Sequence, residues 1–131
     1  MSVGLILVTH NSIGEHLLAT ACSMLGRLPL ETAALAVSQA DSTDELTQRL
    51  LALYQGLDAP DGVLVLTDMY GSTPSNIANT LLSQGRVQVV AGVNLPMLIR
   101  ILNYPSLSLP ELADKAISGG HDGILLCEAG T

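Results

Sequence analysis

"VGLILVTHNSIGEHL", residues 3–17, runs from an apolar stretch through one histidine into the start of a helix. Val3 to Thr9 is an almost unbroken aliphatic run, as expected of a strand buried on both faces. Ser12 followed by Glu15 fits the S/T-x-x-E capping box, so a helix is expected to begin there. His10 stands at the seam between them. An imidazole adds little to a strand of Leu, Ile and Val, which leaves four roles open: helix-start residue, metal ligand, catalytic base or nucleophile.

The strand-then-helix unit recurs. "TAALAV" (32–37), "GVLVLT" (62–67) and "VQVVAGV" (87–93) are further short apolar runs. Ser42 with Glu45 repeats the capping box, and Thr73 before Pro74 fits an N-cap followed by proline at the first helical position. Leu46, Leu50, Leu53 and Leu57 give the second helix one apolar stripe. Further helices are expected from Asn94-Leu95-Pro96 and from Ser108-Leu109-Pro110-Glu111, the last with Leu112, Ala113, Ala116 and Ile117 on one face. "GGHDG" (119–123) is expected to break that helix before a final apolar piece, "ILLC" (124–127). The pattern βαβαβαβααβ predicts an α/β fold with a doubly wound, mostly parallel sheet in the order 2-1-3-4. The short last strand follows a glycine-rich break and is expected antiparallel at an edge.

Composition agrees. The 131 residues suit one domain spanning 1–131, and 48% are hydrophobic, so a core can form. There is no Phe or Trp. Twelve acids against five basic residues give a net charge of −7, which argues against nucleic acid or an anionic membrane surface as partner. No apolar run is long enough for a membrane span, and the start has neither a basic n-region nor a cleavage site, so a cytoplasmic protein is expected. Cys22 reads as a helix residue and Cys127 as a buried strand residue; both are expected as free thiols.

In the order 2-1-3-4, the first and third strands are neighbours at the topological switch point, where open α/β sheets bind ligands. Thr9-His10 ends one and Thr67-Asp68 the other, so His10 and Asp68 should emerge side by side. "MYGSTPSN" (69–76) follows, a glycine turn with hydroxyls at the start of a helix, where free N–H groups favour an anion. Gly71, Ser72 and Thr73 are the candidate phosphate-binding residues. An imidazole with a carboxylate fixing its tautomer, beside an anion cradle, suits phosphorylation of histidine. Taken singly, each feature has a plain structural explanation: His10 as a loop residue, Asp68 as a turn former, Thr73-Pro74 as a helix cap. Their joint placement favours chemistry. No Walker A loop, GxGxxG or metal-ligand spacing competes, so neither metal nor cofactor is expected. His16 misses the i, i+4 spacing of helical metal pairs, and His121 in its glycine-rich stretch reads as structural unless it reaches the site from a partner subunit.

"VTH" at the end of the first strand, "TDMYGSTPSN" after the third and "VVAGVNLPML" (89–98) together resemble the IIA domain of the mannose-type phosphotransferase system over essentially the whole chain. The resemblance implies a phosphohistidine carrier. His10 would accept a phosphoryl group at Nε2 from the histidine-containing phosphocarrier protein and pass it to a IIB component, with Asp68 holding the other ring nitrogen. It also implies a homodimer that exchanges the C-terminal strand, and, with no IIB segment after Thr131, transfer to a separate IIB protein. Asn11 stands where the family often has glycine, and Gly71-Ser72 where it often has Gly-Gly or Gly-Ala. Asn tolerates left-handed backbone, and Ser adds a donor, so neither change removes chemistry. The output would be sugar uptake or regulation. The competing readings are the phosphocarrier subunit of dihydroxyacetone kinase, which as a family lacks this Ser/Thr-Pro helix start, and a non-catalytic anion-binding module. A histidine phosphatase would want an arginine beside His10, and none is near in sequence.

Overall fold

A computed structural model describes residues 2–130. Four strands, β1 (Gly4–His10), β2 (Thr32–Val37), β3 (Val63–Thr67) and β4 (Val87–Ala91), form one parallel sheet in the order β2-β1-β3-β4. The helices are α1 (Ile13–Leu25), α2 (Thr43–Gly56), α3 (Thr73–Asn79), α4 (Leu95–Leu102) and α5 (Leu109–Asp122), and a 3-10 turn (Thr80–Gln84) extends α3. The sheet is as expected, because β-branched and leucine-rich runs buried on both faces have no alternative to a central position.

Side chains alternate between two cores. Leu5, Leu7, Leu64 and Leu66 pack under α1, α4 and α5 with Leu98, Ile101 and Leu112. Ile6, Val8, Val63 and Val65 pack under α2 and α3 with Leu46, Leu50 and Ile77. Each core is aliphatic, and the leucine, isoleucine and valine of the two central strands, β1 and β3, are buried. Among the described residues no helix is long and apolar enough to cross a membrane.

Several local expectations change. Ser12 is the N-cap of α1 but its side chain caps nothing; the Gly14 N–H donates instead to Thr9 Oγ1 at 2.8 Å, so the strand's own last buried hydroxyl starts the helix. Ser42 Oγ does accept from the Glu45 N–H (3.3 Å), and the full reciprocal capping box lies at Ser108 and Glu111. Ser72, not Thr73, is the N-cap of α3, which moves Thr73 to its first residue.

"GGHDG" does not break α5, which runs through Asp122. Its glycines let α5 approach α4: a Cβ on Gly119 would lie 2.5 Å from Arg100 Cβ, and one on Gly123 would lie 2.4 Å from Pro96. Ile117 is half exposed rather than on the buried face. "ILLC" joins no strand within the described chain. Ile124, Leu125 and Leu126 are 76%, 79% and 84% exposed, and Cys127 is exposed rather than buried.

Candidate functional site

The site is built where the sheet stops pairing. The β1–β3 ladder ends at Val8 opposite Thr67, and beyond it β3 turns away, its Thr67 carbonyl accepting the N–H groups of Gly92 and Val93 (2.9 Å each). The next N–H on β1 that faces β3 is that of His10. Asp68 replaces the missing ladder partner: its Oδ2 accepts the His10 backbone N–H at 2.9 Å. The same oxygen lies 2.8 Å from His10 Nδ1.

On the other side, the Asn11 N–H donates to Val37 O (2.9 Å), and Asn11 then takes a left-handed conformation, φ 50°, that turns the chain into α1. Asparagine is among the few non-glycine residues that accept this geometry readily. His10 is thus fixed from both neighbouring strands.

Partial burial raises the Asp68 carboxyl, but the backbone N–H, ring N–H and charge of His10 outweigh it and hold the group below its ordinary value of 3.8. Asp68 is therefore ionised at neutral pH and can only accept, so Nδ1 carries the proton. The ring lone pair is then on Nε2. The imidazole is 41% exposed, against 13% for the Asp68 side chain, so the ring remains reachable while its partner is enclosed.

The loop after Asp68 turns at Gly71, whose φ of 79° demands glycine. Ser72 folds back: its hydroxyl donates to Met69 O at 2.6 Å and its N–H donates to the same carbonyl at 3.3 Å. Thr73 differs. It is exposed, its hydroxyl has no hydrogen-bond partner among the described residues, and it lines a cavity of about 630 Å³ together with His10 and Asn11. The structure therefore brings His10, Asp68 and Thr73 around one opening, with Gly71 and Ser72 shaping the loop behind it.

The opposite wall of that cavity is the β2–α2 loop, with Ser38, Gln39, Asp41 and Thr43. Sequence reasoning missed it. The order 2-1-3-4 was sufficient to show that the carboxyl end of β2 flanks His10, so the signal was available. A second cavity of the same volume lies at the amino edge of the sheet around Arg86 and Glu111, remote from this chemistry. Among the described residues no three His, Cys, Asp or Glu side chains gather as a metal site would require. His16 and His121 are both exposed on helices, His121 in the last turn of α5 beside a separate cavity that includes Asn94.

With this geometry in place, residues 4–117 match the family model described as the PTS system fructose IIA component. The chain is 30% identical over 132 aligned positions to the mannose-specific EIIAB component of Escherichia coli strain K12, covering 98% of this chain and 41% of that protein. The chain thus spans about two-fifths of that curated relative. Half of the chain is 33% identical to part of the fructose-specific EIIA component of Bacillus subtilis strain 168. Among solved structures, the mannose/sorbose specific IIA subunit of the phosphotransferase system from Enterococcus faecalis superimposes with a TM-score of 0.88 at 28% identity, covering 100% of this chain and 98% of that one.

Proposed function

From a chain that belongs to the mannose/fructose-type IIA family of the phosphotransferase system, we propose a phosphohistidine carrier in which His10 is the nucleophile. The observation that carries the residue assignment is the double contact of one Asp68 oxygen with the backbone and ring of His10, facing a cavity that also contains Thr73.

The donor is the histidine-containing phosphocarrier protein. His10 Nε2 attacks the donor's phosphorus; the N–P bond to the donor breaks as the bond to Nε2 forms, and the bond's electron pair returns to the donor's imidazole. The Nδ1 proton stays in place, and the positive charge that grows on the ring is offset by the Asp68 carboxylate. In the reverse sense the group passes to a IIB component. Thr73 is positioned to donate its hydroxyl to a phosphoryl oxygen. The N–H groups of Gly71 and Thr73, which have no acceptor among the described residues, are available for the others. Ser72 contributes loop shape, since its hydroxyl is committed to Met69. No metal or cofactor is required by this sequence of steps.

A homodimer that exchanges the C-terminal segment is part of the same proposal. Leu125 and Leu126 lie open to water and β4 has a free edge, and each feature covers the other if the segment crosses to a second copy. Sedimentation of the full chain against one truncated before Ile124 checks this: the full chain should be dimeric and the truncated one monomeric.

The carrier itself is tested by incubation with phosphoenolpyruvate, enzyme I and the phosphocarrier protein, followed by intact-mass measurement. One added, acid-labile phosphoryl group that is absent in His10→Ala is the expected result. An unmodified wild-type chain overturns the proposal and leaves a non-catalytic anion-binding module.

A further inference from the structure

Asn11, the residue after the nucleophile, has its backbone in the left-handed region at φ 50°, which glycine enters without strain. Outside glycine that region is taken mainly by Asn, Asp and His, and a short polar side chain there is helped by bonding to the local backbone. Asn11 has no such help. Its backbone N–H donates to Val37 O, while its side-chain amide has no hydrogen-bond partner among the described residues. An untethered side chain thus stands where the backbone alone would call for glycine.

Asn11 lines the cavity that also contains His10 and Thr73, and it borders a second one, of about 370 Å³, with Ser12 and Leu95. Without a tether, the amide can turn toward either. None of the five basic residues lines the His10 cavity, so within this chain a phosphoryl dianion there is met by neutral donors. Among the three side chains that tolerate this backbone, asparagine offers two N–H donors and carries no charge. Aspartate would set a further negative charge against the phosphoryl group. Consecutive Cα atoms lie about 3.8 Å apart, which lets the amide and a group on His10 Nε2 meet across one peptide link.

We infer that the Asn11 side-chain amide is a further hydrogen-bond donor to the phosphoryl group carried on His10. This rests on the phosphocarrier reading and deepens it. A phosphoryl group has three oxygens with more lone pairs than the Thr73 hydroxyl and the loop N–H groups fill, so the amide adds a bond to theirs. That bond exists only in the phosphorylated state. It holds the phosphohistidine against hydrolysis and draws the exchange equilibrium with the donor toward this chain.

Two substitutions separate the donor from the backbone. Asn11→Gly removes the amide and suits the left-handed conformation, so the turn and the bond to Val37 O survive. Asn11→Asp keeps the size and the backbone tolerance but exchanges the donor for a negative charge. The probe is the phosphorylated histidine-containing phosphocarrier protein mixed with each chain, with the equilibrium read by intact mass. The hydrolysis half-life of each isolated phosphorylated chain follows. Asn11→Gly should shift the equilibrium about tenfold toward the donor protein and shorten the half-life, with no fall in melting temperature. Asn11→Asp should shift it further the same way. In wild type, the side-chain amide NMR signal of Asn11 should move on phosphorylation while that of Asn103, at the far end of α4, stays. A purely conformational role predicts that Asn11→Gly matches wild type in equilibrium and half-life. That result, or an Asn11 amide signal unmoved by phosphorylation, overturns the inference alone. A wild-type chain that takes no phosphoryl group removes the phosphocarrier reading and this inference with it.

Discussion

One oxygen of Asp68 receives two hydrogen bonds from His10, at 2.9 Å from the backbone nitrogen and 2.8 Å from ring Nδ1. The backbone bond continues the sheet after its ladder has ended, and the ring bond sets the tautomer. Position and chemistry of the histidine therefore depend on the same atom.

That arrangement predicts different outcomes for two substitutions. Asp68→Asn can present its single carbonyl oxygen to both donors, so geometry survives and only the charge is lost. Transfer to His10 should slow by about tenfold or more, the lower bound being the loss seen when the partner that orients a metal-bound histidine is replaced. Asp68→Ala removes both acceptors and should cost about a hundredfold. Rapid-quench rates for the two variants check this; equal rates for both would mean that charge and position are not separable here.

The same contact makes a pH-dependent contribution to stability. Asp68 titrates below 3.8 in the folded chain, so the unfolded chain binds the proton first as pH falls. The stabilisation is fully present well above 3.8 and is lost as pH falls through the folded value. Denaturant unfolding of wild type and Asp68→Asn should show a difference near pH 5 that closes on further acidification. A difference that persists unchanged at low pH would remove the ionised carboxylate from the account.

In the phosphate loop the two hydroxyls should behave oppositely. Ser72 donates to Met69 O, while Thr73 faces the cavity with His10. Thr73→Val should slow transfer by about tenfold or more while leaving the melting temperature nearly unchanged, since it removes a donor to developing charge. Ser72→Ala should do the reverse, lowering stability by about 1 kcal/mol for the lost loop bond with little change in transfer rate. Transfer kinetics and thermal melts of both variants decide the assignment.

Sheet order, the pairing of His10 with Asp68 and the turn at Gly71 were all legible in the sequence. Each follows from hydrophobic runs and chain order, which the parallel topology converts into neighbours. What the sequence concealed was decided by side-chain rotation or by packing between distant segments. The Ser12-Glu15 pattern matched a capping box, but Thr9, buried at the end of β1, reaches the Gly14 N–H first. "ILLC" has a strand's composition, yet no partner within the described chain gives it a ladder. The second wall of the cavity was readable from topology, but its fixed carboxylate depends on the turn between Ser38 and Asp41.

The clearest local misreading concerns the glycines of α5, and it yields the last prediction. By composition alone, "GGHDG" signals a helix end, because glycine in a helix interior costs about 1 kcal/mol relative to alanine. The α4–α5 contact reverses that ranking. A methyl group on Gly119 would stand 2.5 Å from Arg100 Cβ, and one on Gly123 2.4 Å from Pro96, and a real Cβ tolerates neither distance. Separating the helices to admit it would disturb the core at Ile101 and Leu112, both fully buried. Gly119→Ala should therefore destabilise the chain by about 1–3 kcal/mol despite its gain in helix propensity. Gly56, the last residue of α2, has open space around its Cβ position and is the control. Gly56→Ala should be neutral or stabilise by up to about 1 kcal/mol. Equilibrium unfolding of both variants gives the comparison, and a stabilising Gly119→Ala would show that α5 does not need its close approach to α4.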